Sequence, residues 1–192
     1  MTRRVPGAVR RQQIAEAALK VLAEQGLHRF TTQAIAAELG VTDGSLFRHF
    51  PTKADLVLAA LDELESRLFE GFPPVDEDPI RRLERFFRQR AALLRAQPII
   101  ARLAFSEELP HAAGERGAAK VALWKSRSLG FIEGCLDEAA ASGRLPADLP
   151  RREAALVVAG TLLALARLAG PDLAASAVDD AWRVLHRCLG GA

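Results

Sequence analysis

The sequence predicts an all-α fold of about nine helices. Apolar residues recur at helical spacing, alternating strand-like runs are absent, and the good helix formers Ala, Leu, Arg and Glu dominate the 192 residues. With 49% apolar and 26% charged residues, the chain has the composition of a globular protein and not of a disordered one. Each helix can be justified in turn from its apolar stripe and its end signals.

The first predicted helix begins near Ala8. Its apolar stripe includes Ile14 and, two turns later, Leu22. Because Gly26 is placed to end the helix, we expect it to extend to about Gln25.

The second predicted helix is short and begins with Thr31 as its N-cap. Phe30 and Ile35 then occupy the positions of a hydrophobic staple, and Ile35 and Leu39 form a buried pair four residues apart. Gly40 ends this helix.

The third predicted helix runs from Asp43 to Phe50, with Thr42 as its cap and Leu46 on its buried side. Pro51 ends it, because the residue before a proline is pushed out of the helical region.

A capping box opens the fourth predicted helix, since Thr52 is followed by Asp55 at the third helical position. This helix continues to about Gly71, where a linker rich in proline begins. The remaining predicted helices cover residues 80–96, 98–109, 118–141, 151–169 and 172–189.

Composition and charge narrow the possible functions. The longest nearly pure apolar run covers 13 residues, 154–166, which is too short to span a bilayer. The basic N-terminus leads into no apolar segment, so we expect no secretory signal and a cytoplasmic protein whose Cys135 and Cys188 form no disulfide.

Residues 1–53 contain eight Lys and Arg against four acidic residues, whereas the rest of the chain is slightly acidic. This asymmetry is typical of a chain with one end that meets a polyanion.

The second and third helices form a predicted helix-turn-helix. Such a unit needs a small residue where the helices approach, a turn residue that tolerates positive φ, and apolar anchors for the second helix. Ala36 and Gly40 meet the first two needs. The anchors are Ile35, Leu39, Val41 and Leu46.

The outward face of the third helix is unusual for a solvated surface. Setting Leu46 at 0° places Gly44, Ser45, Phe47 and Arg48 between about 100° and 260°. Small residues allow close approach of a backbone, Arg donates to guanine O6 and N7, and an aromatic ring contacts a thymine methyl. This face therefore predicts entry into the major groove of DNA.

Lys53 gives a second indication, because a lysine at the first position of a helix opposes the helix dipole. A DNA phosphate there would reverse the sign of the interaction. The alternative is a solvated lysine on a frayed turn.

These segments closely resemble the N-terminal domain of the TetR/AcrR family of bacterial transcriptional regulators. The resemblance covers about residues 10–61 and rests above all on GVTDGSLFRHFPTK at 40–53. It implies a helix-turn-helix DNA-binding domain at 1–52 and a helical effector-binding and dimerisation domain at 53–192. The protein would be a homodimeric repressor that binds a palindromic operator and is released by a small effector. The residues it implies at the operator are Thr32, Thr42, Gly44, Ser45, Phe47, Arg48, His49 and Lys53, with Phe47 standing where many members have Tyr.

Two C-terminal helices resemble the four-helix dimer interface of the family. The helix at 151–169 is apolar all round and has small residues at Ala159, Gly160 and Ala164, so it needs cover on every side. A buried central helix in a monomer is the alternative. The predicted interface residues are Val158, Leu162, Leu165, Val178, Trp182, Leu185 and Leu189.

The resemblance also predicts a pocket for a hydrophobic or aromatic effector. Aromatic residues fall in the helices that line this pocket in the family, and Arg102 could orient a polar group. Ordinary core packing is the alternative for each aromatic residue. The predicted aromatic lining residues are Phe86, Phe87, Phe105, Trp124 and Phe131.

Enzymatic and metal-binding functions are not expected. The sequence contains no nucleophile elbow, phosphate loop or carboxylate pair, and its His and Cys residues lack ligand spacing, so neither cofactor nor metal is predicted.

Two alternatives to a ligand-controlled repressor remain for the function. One is a DNA-binding regulator of the same fold whose C-terminal domain only dimerises or binds a protein, and the other is an α-helical scaffold that does not touch DNA.

Overall fold

The computed structural model describes residues 6–104, 106, 108–168 and 175–190, which form α-helices and one short 3-10 helix, Leu27–Arg29, without a strand. The all-α prediction is therefore confirmed. No helix in this described part is long and apolar enough to cross a bilayer. The α-helices are α1 Gly7–Gln25, α2 Thr32–Leu39, α3 Asp43–Phe47, α4 Lys53–Leu68, α5 Pro79–Ala96, α6 Pro98–Ala104, α7 Glu108–Ala112, α8 Gly114–Ala141, α9 Arg151–Leu168 and α10 Ala175–Cys188.

Several predicted helix bounds need correction. α4 ends at Leu68 and not near Gly71, and α8 begins at Gly114 and not at residue 118. α3 ends at Phe47 and not at Phe50, although the Phe50 N–H still donates to the Leu46 carbonyl at 2.9 Å. The predicted helix at 98–109 is divided into α6 and α7, where the Ser106 N–H donates to the Leu103 carbonyl and the Ser106 hydroxyl accepts from the Leu109 N–H.

The chain divides into two compact units. The first contains residues 1–67 and 102–122, and the second contains residues 68–101 and 123–192. This division differs from the predicted boundary at residue 53. That boundary separates a DNA-binding domain from an effector-binding domain, and it stays a prediction.

The first unit is built around a small apolar core. α1 and α2 pack together, and α2 packs against α3. The side chains at the centre of this unit are at most 1% exposed, as expected for close-packed protein interiors. They are Ile14, Leu22, Phe30, Ile35, Leu46, Leu56 and Leu61.

The second unit has its own core, in which α5 packs against both α9 and α10. Phe87 of α5 and Trp182 of α10 are in ring contact, with 5.5 Å between centroids. Trp182 also stacks on His186 one turn later, with 5.9 Å between the rings. Burial of such large aromatic side chains gives this unit much of its stability.

Two threonines at helix starts allow a stability prediction. At α4 the Thr52 hydroxyl accepts from the Asp55 N–H, and the Thr52 N–H donates to the Asp55 carboxylate, both at 3.1 Å, so the predicted capping box is confirmed. At α3, Thr42 occupies the N-cap position, but its side chain makes no cap hydrogen bond. We expect Thr52→Ala to lower the free energy of unfolding by about 0.5–2 kcal/mol, measured by urea denaturation followed by circular dichroism.

Thr42→Ala is the matched control, because it makes the same chemical change at a helix start without a cap hydrogen bond. We expect its urea midpoint to equal that of the unsubstituted protein. Equal losses of stability in Thr52→Ala and Thr42→Ala would contradict the assignment of a cap hydrogen bond to Thr52 and not to Thr42.

Candidate nucleic-acid interface

The turn between α2 and α3 has the geometry that the sequence predicts. Gly40 adopts the left-handed conformation, with φ 64° and ψ 37°, which favours glycine because it has no Cβ. The Val41 N–H donates to the Ala36 carbonyl at 3.0 Å and the Gly40 N–H to the Ala37 carbonyl at 3.2 Å. These bonds satisfy the last carbonyls of α2 and set the direction in which α3 leaves the turn.

Buried side chains anchor α3 against the unit. Leu46 and Ile35 are fully buried, and Phe50 is 5% exposed. Since one face of α3 is held by these contacts, the opposite face must point to solvent. The helix-turn-helix is therefore a rigid platform with one free surface.

None of the eight residues implied at the operator is buried. Three are half-buried, namely Thr32, Ser45 and His49. Five are exposed, namely Thr42, Gly44, Phe47, Arg48 and Lys53.

Phe47 and Gly44 have no evident role inside the protein. Phe47 is 47% exposed although phenylalanine is usually buried. A Cβ added at Gly44 would meet no atom within 4 Å, and its φ is not in the left-handed region, so neither packing nor backbone geometry demands glycine there. Gly44 is the second residue of α3, and glycine is a poorer helix former than alanine. The missing side chain is thus more easily explained by a surface that another molecule approaches closely.

Lys53 lies at the first position of α4, exposed and with its Nζ atom 5.9 Å from the centre of the Phe30 ring. A weak cation–π contact therefore orients the ammonium over the first unit. The ammonium remains accessible to an anion in solution.

Arg11 is a contributor that the sequence analysis missed. Its Nη1 donates to the His49 carbonyl at 2.7 Å, and its guanidinium lies 4.5 Å from the centre of the Phe50 ring. These contacts fasten the segment after α3 to α1. The only sequence signal was one basic residue among several near the N-terminus, which did not distinguish Arg11 from its neighbours.

The predicted effector residues are only partly brought together. Phe86 and Phe131 are in ring contact at 5.2 Å in the second unit, whereas Phe87 turns into the core against Trp182. Arg102 belongs to the first unit, where it donates to the Ala23 carbonyl. Of the other two, Trp124 is buried, and Phe105 lies outside the described residues.

The structure places the residues predicted for the dimer interface mostly in the core of a single chain. Six of the seven are at most 8% exposed within a single chain, and Leu165 is half-buried against the same core. A side chain that its own chain already covers leaves little surface for a partner. The six residues in the core are Val158, Leu162, Val178, Trp182, Leu185 and Leu189.

The opposite face of α9 is apolar and open. Leu156 is 53% exposed, Val157 is 52% exposed and Leu163 is 38% exposed, and the exposed Gly160 lies between them on the same face. An exposed apolar face of this kind is typical of a surface that meets another protein.

Comparison with known proteins places the helix-turn-helix in a family. Residues 14–60 match the family model described as bacterial regulatory proteins, tetR family. The chain is also similar to the nucleoid occlusion factor SlmA of Pasteurella multocida, with 43% identity over 61 residues. That match covers 31% of each protein, so the chain spans about a third of the length of this curated relative.

Solved structures share the fold over nearly the whole chain. A crystal structure of AibR in complex with isovaleryl coenzyme A and operator DNA superposes with a TM-score of 0.76 at 19% identity, covering 95% of this chain and all of that one. The regulator FadR from Bacillus subtilis in complex with stearoyl-CoA has a TM-score of 0.71 at 20% identity, covering 90% of this chain and 96% of that one. The chain therefore shares its fold with these two solved regulators.

Proposed function

We propose that this protein, whose residues 14–60 match the model of bacterial regulatory proteins of the tetR family, is a homodimeric repressor that binds a palindromic operator and is released by a small effector. The outward face of α3 reads bases in the major groove, and the start of α4 contacts a phosphate. The second unit binds the effector and carries the dimer surface.

The exposed face of α3 is the observation that carries the DNA-binding role. Gly44 costs helix stability without an internal reason, and Phe47 is exposed beside Arg48. In a major groove these residues have complementary roles, since the glycine admits the DNA backbone and the guanidinium reads guanine. A solvated helix would gain nothing from this combination.

The exposed face of α9 supports a second copy of the chain as the dimer partner. Leu156, Val157 and Leu163 offer apolar area, and Gly160 between them permits close helix approach. A twofold pair would place two copies of α3 about 34 Å apart, or a multiple of it, as successive major grooves require. This spacing predicts an inverted repeat in the operator.

Effector control is proposed by analogy with structural neighbours that were crystallised with acyl-coenzyme A compounds. An effector that binds more tightly to the dimer with one particular spacing of its two DNA-binding domains shifts the population of dimers toward that spacing. If that spacing misfits successive grooves, operator affinity falls.

Two substitutions separate base reading from phosphate binding. The probe is an inverted-repeat duplex selected from random DNA by the protein itself, compared with random duplex. We expect Arg48→Ala to weaken binding to the selected duplex by about 5- to 150-fold and to random DNA much less, because a base contact is worth about 1–3 kcal/mol. We expect Lys53→Ala to weaken both equally and to reduce the salt slope by about one.

Arg81→Ala is the control for loss of a positive charge, since Arg81 is an exposed residue of the second unit that pairs with Asp76 at 3.3 Å. Its affinity for both duplexes should be unchanged. Equal losses on selected and random DNA for Arg48→Ala would contradict the base-reading role. Binding to both duplexes that does not respond to salt would contradict the proposed phosphate contacts.

A further inference from the structure

Two arginines of the second unit stack on the same phenylalanine. Arg90 of α5 has its guanidinium 5.1 Å from the centre of the Phe69 ring, and Arg127 of α8 approaches that ring to 4.4 Å. Arg90 also lies 5.4 Å from Phe86, and Arg127 lies 4.8 Å from Phe72. Two like charges are thus held close together by aromatic rings.

No carboxylate in the described part of the chain lies beside this pair of cations. Among the described residues, neither guanidinium has a carboxylate oxygen within 4.0 Å, whereas Arg82, Arg85 and Arg88 on the same helix all have one. Burial and the nearby charge of Arg127 lower the pKa of Arg90 to about 10, so the guanidinium is still charged near neutral pH. Cation–π contacts offset only part of the cost of partly burying such a charge.

An apolar surface adjoins the two guanidiniums. Phe72 is 5.0 Å from Phe131 and 5.9 Å from Phe86, so the rings form one continuous cluster with Phe69. Phe69, Phe72 and Phe131 are only half-buried, and Arg127 is exposed. A small molecule from solution can therefore reach both the cations and the ring faces.

We propose that Arg90 and Arg127 bind the carboxylate of an organic acid whose apolar body lies on Phe72 and Phe131. A carboxylate offers two oxygens with geometry suited to guanidinium groups, and it would supply the missing counter-charge. A neutral ligand would leave both charges unpaired. That this acid is the effector rests on the proposed function, but binding itself does not.

Three compounds with the same eight-carbon chain test the head group. Octanoate carries the carboxylate, octanamide replaces it with a neutral group of similar shape, and octanoyl-coenzyme A carries its charges on remote phosphates. We expect the full-length protein to bind octanoate at least about tenfold more tightly than octanamide in isothermal titration calorimetry. Equal affinities for octanoate and octanamide would overturn the proposal. Binding of octanoyl-coenzyme A without binding of octanoate would also overturn it.

Substitutions test the two arginines. We expect Arg90→Met and Arg127→Met each to weaken octanoate binding by about 10- to 100-fold, since each removes a charged hydrogen bond and keeps an apolar stem. Arg85→Met is the matched control, because Arg85 lies on the same helix and pairs with Asp76 at 3.2 Å. Its octanoate affinity should not change. Unaltered octanoate affinity in both test variants would overturn the assignment.

Thermal unfolding without ligand separates binding from structural support. If Arg90 serves the ligand, Arg90→Met should melt at or above the temperature of the unsubstituted protein, because it removes an unpaired charge from a half-buried site. If Arg90 is only a structural clamp on the rings, the same variant should melt lower and still bind octanoate. The second result would overturn the proposal.

The effector role has its own readout, which is release of the selected operator duplex by octanoate. Binding of octanoate without release of DNA would contradict effector control and leave the carboxylate site standing. Failure to bind octanoate would remove the site and leave the DNA-binding role standing.

Discussion

Leu46→Ala is expected to destabilise the first unit by about 2–5 kcal/mol. Leu46 is fully buried and is the side chain through which α3 is anchored, so its truncation leaves a cavity at the centre of a small core. With little core elsewhere to compensate, the loss is large relative to the total stability of such a unit. Urea denaturation followed by circular dichroism measures it, and hydrogen exchange of the amides at 32–47 locates it.

The neighbouring residue provides the control for this experiment. Phe47 follows Leu46 on the same helix but is 47% exposed. Phe47→Ala should change the free energy of unfolding by no more than about 0.5 kcal/mol, yet weaken DNA binding. A loss of stability as large as that of Leu46→Ala would show that Phe47 belongs to the core, against the outward face assigned to it.

The paired substitutions Leu156→Glu and Val157→Glu are expected to convert the proposed dimer into monomers. They place two carboxylates on the exposed apolar face of α9, where association would have to bury them unpaired. Because the two DNA-binding domains then bind independently, the affinity for the selected duplex should fall by about 10²- to 10⁴-fold. Light scattering after size exclusion gives the mass, and a gel-shift titration gives the affinity.

Val75→Glu controls for the addition of charge, since Val75 is 83% exposed before α5 and not on α9. It should leave both mass and affinity unchanged. If the double variant remained dimeric, the α9 face would not be the interface. If the double variant became monomeric with unchanged DNA affinity, a single DNA-binding domain would be sufficient to bind the operator.

The helix-turn-helix was predictable from the sequence because short-range rules determine it. Gly40 is needed for its positive φ, Leu46 is the apolar anchor, and Thr52 has an acid three residues later to complete its box. Thr42 looks similar but has Ser45 at that position, so no carboxylate completes a capping box there. Attention to this partner would have separated the two threonines.

The second unit was harder to predict because its helices are apolar on more than one side. In α9, Val158 and Leu156 are equally suited to a core or to an interface, and only the packing of α5 against α9 decides between them. Periodicity indicates how many faces are apolar but not which neighbour covers each of them.

The sequence pattern did not distinguish Arg90 and Arg127 from other arginines, for a related reason. Arginine is usually solvated, and α5 contains several arginines. The usable signal was the pairing of each arginine with a phenylalanine four residues away, Phe86 with Arg90 and Arg127 with Phe131. Two such pairs on separate helices converge only when tertiary packing brings α5 and α8 together.

The placement of the two tryptophans has an optical consequence. Trp124 and Trp182 are the only tryptophans in the sequence, which has no tyrosine, and both lie in the second unit. Tryptophan emission therefore originates from that unit alone. Titration of a small molecule can be followed by this emission without a dye, whereas the motions of α1–α3 require an introduced fluorophore.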